Sequence, residues 1–86
     1  MKRDWDLVRK ILTDVEALPD LDSTLRPEDV QGFRQDEVSY HLYMLQQAGF
    51  LESTVTDYMG EGVYCIARQL TWEGQELLSK LREEGG

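Results

Sequence analysis

Positive charge is scarce in this chain. Nine Lys and Arg stand against seventeen Asp and Glu, a formal net charge of −8 over 86 residues. Basic groups that neutralise phosphates supply most non-specific nucleic-acid affinity, so an acidic balance counts against that class of partner. The middle of the chain is the most acidic stretch: residues 21–53 hold six acids and two arginines. Cysteine is limited to Cys65, which excludes an intrachain disulfide and leaves the fold to packing alone, as suits a reducing cytoplasm. A single histidine, His41, excludes a multi-histidine metal site. No apolar run approaches the roughly 18–20 residues that would span a bilayer. The opening Met1-Lys2-Arg3-Asp4 has no apolar stretch behind it, so no signal peptide is expected.

What is present is the composition of a small folded domain: 41% apolar and 30% charged residues, with no repeat, linker or low-complexity segment. At this length a chain buries only roughly 60–65% of its unfolded surface. One domain over residues 1–86 is therefore expected, with residues 83–86 as a frayed tail.

Periodicity places the elements. Trp5, Val8, Ile11, Leu12, Val15 and Leu18 recur at three- and four-residue steps, which predicts a helix over 4–18 with Asp4 as N-cap. Pro19 closes it. Pro27-Glu28-Asp29-Val30-Gln31-Gly32 has proline at a first helical position and glycine at an end, the pattern of a short helix anchored by Leu25 and Val30. An extended stub near residues 24–26 fits the bias before proline. A third helix runs from Asp36 to Ala48, with Val38, His41, Leu42, Leu45 and Ala48 on its inner stripe and Gly49 at the C′ position. Residues 52–58 and 63–70 read as a hairpin turning through Met59-Gly60-Glu61-Gly62. Thr71 then caps a last helix that turns Leu77, Leu78 and Leu81 inward, with Gly74 on the same face for close approach. The expected core is Val8, Ile11, Leu12, Val15, Val38, Leu42, Leu45 and Leu78. The class is α+β.

Three segments carry a resemblance. Tyr40-His41-Leu42-Tyr43-Met44-Leu45-Gln46-Gln47-Ala48-Gly49-Phe50-Leu51 resembles the end of the second helix-turn-helix helix in bacterial winged-helix regulators. Leu70-Thr71-Trp72-Glu73-Gly74 resembles their step from wing to last helix, and Met1 to Leu12 resembles the opening of a small bacterial and prophage family. The resemblance implies a single winged helix-turn-helix-like domain of three or four helices with a two- or three-stranded antiparallel wing. It implies no activity.

No residue set nominates a catalytic, cofactor or metal site. His41 and Ser39 lie about 200° apart on one helix and form no local nucleophile–base pair. Cys65 reads as a small buried hydrophobe, and Gly60 and Gly62 lack the context of a phosphate loop. A DNA-reading helix normally offers Arg, Lys, Asn or Gln to base edges, yet residues 35–48 hold no Lys or Arg. Opposite the inner stripe stand Asp36, Tyr40, Tyr43 and Gln47, and tyrosines on an outward stripe suit a protein interface. Covering the wing or first helix is their other reading.

Two functions follow. The first is a non-enzymatic acidic interaction module that binds a protein; the resemblance implies for it a phage or prophage accessory protein that inhibits a host protein, itself one that binds nucleic acid. Its contact residues are Asp36, Tyr40, Tyr43, Gln47, Asp57 and Glu61. The second is a dimeric DNA-binding transcriptional regulator using Arg34, Gln35, Gln46, Gln47 and Arg68. No cofactor and no membrane partner are expected in either, the location is cytoplasmic, and the oligomeric state is open.

Overall fold

The computed structural model describes residues 3–20, 22–58 and 62–84; the side chains of residues 56–58, 62, 63 and 84 lie outside the description. The order is helix α1 (Trp5–Glu16), a 3-10 turn (Pro27–Asp29), helix α2 (Gln35–Gln47), strands β1 (Leu51–Tyr58) and β2 (Gly62–Leu70), and helix α3 (Trp72–Glu84). This is an α+β arrangement with one antiparallel two-stranded sheet among the described residues.

Each boundary has a local cause. Asp4 sits in extended backbone, and its carboxylate accepts the amide hydrogens of Asp6 and Leu7 at 3.0 and 3.3 Å, satisfying donors the helix leaves orphaned. At the other end of α2, Gly49 takes φ 87°, which costs only glycine nothing. The turn lets Phe50 N–H donate to the Leu45 carbonyl at 2.9 Å and Gly49 N–H to that of Gln46 at 3.1 Å, a Schellman closure. The chain re-enters the core at once, through Leu51.

The expected extended stub is a single antiparallel bridge. Leu25 and Ala67 exchange both backbone hydrogen bonds, at 2.8 and 2.9 Å, which ties the connector to one edge of β2. The sheet register shifts between Glu52 and Ser53, a bulge near the base of the hairpin. The turn residues Met59, Gly60 and Glu61 lie outside the described residues.

All eight expected core residues are buried, and Leu7, Leu25, Val30, Leu51, Cys65 and Ala67 join them. Four expectations are corrected. Trp5 is 50% exposed while Leu7 is fully buried. Both flank the Val8–Ile11–Val15 stripe, but only the Leu7 side is covered by packed elements. Ala48, the C-cap residue of α2, is exposed, and Ser39 is buried because α2 turns its Ser39–Leu42 side inward. The connector helix is a three-residue 3-10 turn, too short to hold a full α turn. Lastly, α3 continues through Glu83 and Glu84, good helix formers with no breaker until Gly85.

Gly74 explains how α3 seats. A β-carbon built there would fall 2.0 Å from the Phe50 carbonyl oxygen. Thr71 Oγ1 accepts from Gly74 N–H at 3.1 Å and donates to the Gly49 carbonyl, so the start of α3 is clasped to the turn after α2.

Candidate functional site

Helix α2 presents the residues nominated for function. Its first turn is acidic, with Asp36 and Glu37 favourable beside the helix N-terminus. Arg34 is the N-cap residue and makes no capping hydrogen bond through its side chain. Instead its guanidinium donates to Asp36 Oδ2 at 2.9 Å. The other carboxylate oxygen accepts the Glu37 amide hydrogen, also at 2.9 Å. The cation at the head of the helix is thus neutralised where it stands, although both side chains are exposed enough for the pair to be weak.

Asp36, Tyr40, Tyr43 and Gln47 follow at helical spacing on one side. Asp36 and Gln47 are exposed, whereas Tyr40 and Tyr43 are half-buried. Tyr40 meets the His41 ring edge-on, with centroids 5.7 Å apart at 83°. His41 itself is fully buried: Nδ1 bonds the Glu37 carbonyl at 2.8 Å, and Nε2 accepts the Asp4 amide hydrogen at 2.9 Å. Two ring nitrogens with those partners define the neutral Nδ1–H tautomer and leave neither free for a metal or a reacting group. The contact between His41 and Glu37, one turn apart on α2, is made by the Glu37 backbone carbonyl.

The remaining nominated residues scatter. Gln35 is exposed beside Arg34. Gln46 is half-buried, and its Oε1 is buried with no hydrogen-bond partner among the described residues, unlike the exposed Gln35 and Gln47. Arg68 is exposed on β2, far along the chain from α2, with no ion-pair partner among the described residues. The side chain of Asp57 and the whole of Glu61 lie outside the described residues. Cys65 is fully buried with Sγ 3.3 Å from Ser53 Oγ, and burial pushes its thiol pKa up, away from thiolate chemistry. No group of three His, Cys, Asp or Glu among the described residues is placed to hold a metal ion.

A second acid is locally organised. The Tyr64 hydroxyl donates to Glu28 Oε1 at 2.6 Å, and that bond holds the Glu28 carboxyl below the usual carboxylate range.

One feature escaped the sequence reading. A groove of about 180 Å³ opens where α1, α2 and α3 diverge, walled by Trp5, Val8, Met44, Ala48, Phe50 and Leu77, with Arg3 also lining it. Trp5 and Ala48, which periodicity places on the inward stripes of their helices, are exposed where they line it. The signal for the groove was tertiary, since its walls come from three separate segments.

A family model described as "Hypothetical protein (DUF2513)" matches residues 2–85. A protein of Haemophilus influenzae described as uncharacterized is 43% identical over 84 residues, which is 98% of this chain and 70% of that protein. No solved structure matches. No helix among the described residues is long and apolar enough to cross a membrane.

Proposed function

This chain belongs to the DUF2513 family, and from that premise we propose that it is a non-enzymatic interaction module that binds another protein through the outer side of α2. The observation that carries the reading is the Arg34–Asp36 bond at 2.9 Å. It sets a carboxylate against the one cation at the head of the helix that a DNA reader would aim at phosphate or base edges, so the surface on offer there, Asp36, Glu37, Tyr40, Tyr43 and Gln47, is acidic and aromatic rather than basic.

The frame is read as a winged helix. Support comes from the order of its parts: α1, a bridged extended stub, a short turn, α2, a hairpin and α3. An acidic face on that frame suits a basic target, whose encounter it would speed. The resemblance to prophage proteins extends the reading to a phage accessory protein that inhibits a host nucleic-acid-binding protein by presenting carboxylates in place of phosphate.

The second reading, a dimeric DNA-binding regulator, is favoured by one observation: Arg68 stands exposed on the hairpin without an ion-pair partner among the described residues. A pull-down from host lysate, with and without nuclease, separates the two. A partner retained after nuclease and lost with Tyr43→Ala supports the protein-binding reading; a partner lost with nuclease alone supports DNA.

A further inference from the structure

The groove between the three helices is apolar on its walls and cationic at its rim. Trp5, Val8, Met44, Phe50 and Leu77 supply aromatic, thioether and aliphatic surface. Arg3 is exposed and lies over Trp5, its guanidinium 5.2 Å from the ring centroid, a stacking that holds the charge beside the opening. The acids nearest in sequence are committed elsewhere: the Asp4 carboxylate caps α1, and Asp6 pairs with Arg9 at 3.6 Å. Arg3 has no ion-pair partner among the described residues. In a chain of charge −8, a guanidinium with no acid paired to it among the described residues thus stands at the edge of an apolar groove.

Size narrows the ligand. The groove measures about 180 Å³. An apolar cavity of about 150 Å³ takes up benzene, whereas drug-sized and cofactor ligands need roughly 300–1,000 Å³. One ring fits, and a dinucleotide does not. A ring is favoured over an alkyl chain because Trp5 and Phe50 offer π faces and Met44 a thioether, both of which pair well with aromatic edges. We propose that this groove binds a small monocyclic aromatic carboxylate, with its ring among Trp5, Met44 and Phe50 and its carboxylate on Arg3.

Benzoate and its neutral counterpart benzyl alcohol serve as probes. Amide chemical shifts of the full chain are followed during titration, and Trp5 fluorescence is followed in the Trp72→Phe variant, where Trp5 is the sole tryptophan. Benzoate is expected to saturate at about millimolar concentration, with shifts centred on residues 3–8, 44–50 and 77. Benzyl alcohol should bind roughly fivefold or more weakly, and Arg3→Gln should bring the two probes together by weakening benzoate alone. Ala48→Leu, at an exposed wall position, should reduce the affinity for both. No saturation by about 20 mM benzoate, equal affinity for the two probes, or an Arg3→Gln variant that binds benzoate unchanged each overturns the assignment.

Discussion

His41 Nε2 accepts the backbone amide hydrogen of Asp4 at 2.9 Å, joining two residues 37 positions apart. The same Asp4 caps α1 with its carboxylate, so one residue both starts the first helix and docks it on α2. Losing the ring should therefore cost more than its volume. His41→Ala is expected to lower unfolding free energy by about 2–4 kcal/mol, from a cavity and an orphaned amide. His41→Phe keeps most of the volume and should cost about 1–3 kcal/mol, chiefly for the unsatisfied Asp4 N–H, with the Nδ1–H bond to the Glu37 carbonyl lost as well. Urea unfolding of the three proteins measures both, and a neutral effect of His41→Phe would show that the hydrogen bond contributes nothing.

Gly74 reverses a common rule. Glycine inside a helix normally gains about 1 kcal/mol of stability on replacement by alanine. Here the new methyl would meet the Phe50 carbonyl oxygen at 2.0 Å, so something must shift, and backbone moves less readily than a side chain. Gly74→Ala is expected to destabilise by several kcal/mol, while Ser79→Ala at an exposed position of α3 changes stability by about 0.5 kcal/mol or less. Thermal melts of the pair decide it.

These two contacts also show where sequence reasoning ends. The α1 stripe, the inner face of α2 and the alternation of Cys65 and Ala67 were legible because a helix repeats at 3.6 residues and a strand at two, whatever lies opposite. Gly49 was legible as a terminator because its φ is a local matter. The Trp5–Leu7 exchange was not, since both flank the same stripe and only the packing of the other elements decides which flank is covered. Nor was the Arg34–Asp36 bond: a separation of two is no helical spacing, and it forms because Arg34 is still in extended backbone. The pair Arg82–Glu16, at 2.8 Å, spans 66 residues and has no local signature at all. For the candidate site, the stripe from Asp36 to Gln47 was legible and the groove was not.

Acid should weaken the Glu28–Tyr64 contact. The folded-state pKa of Glu28 lies below its unfolded value, chiefly because the Tyr64 hydroxyl donates to the carboxylate. A depressed carboxylate pKa adds stability that is fully present above the unfolded pKa and is lost as pH falls through the folded one. The stability difference between the native protein and Tyr64→Phe should accordingly be largest near neutrality and shrink below the usual carboxylate range. Carbon-detected titration of the Glu28 carboxyl should show its midpoint rise in Tyr64→Phe. A midpoint that does not move would assign the shift to something other than the hydroxyl.

Duplex DNA should bind poorly. With Arg34 held by Asp36 and no Lys or Arg in α2, sequence-selective binding in the nanomolar range typical of operators is not expected at physiological salt. Asp36→Asn frees the guanidinium and should raise weak, low-salt binding without creating selectivity, because a phosphate contact carries no sequence information. Fluorescence anisotropy across a salt series tests both statements. Tight selective binding by the native chain would establish the DNA reading instead.

Tyr40 and Tyr43 should part company. Both are half-buried on the side of α2 offered to a partner, yet Tyr40 also leans edge-on against the buried His41 ring. Truncating Tyr40 removes that contact, worth about 0.5–1.5 kcal/mol beyond its area, and so should lower the melting temperature. Tyr43 has no such internal ring contact among the described residues, and Tyr43→Ala should leave the melt nearly unchanged while weakening partner binding by about 2 kcal/mol or more, as an interface anchor does. Melting temperature and partner affinity are to be measured on both variants, with affinity referred to the folded fraction. Tyr43→Ala that melts early but binds normally once folded would make the tyrosine part of the domain's own packing, and would move the contact surface to the acids Glu28 and Asp29 beside the 3-10 turn.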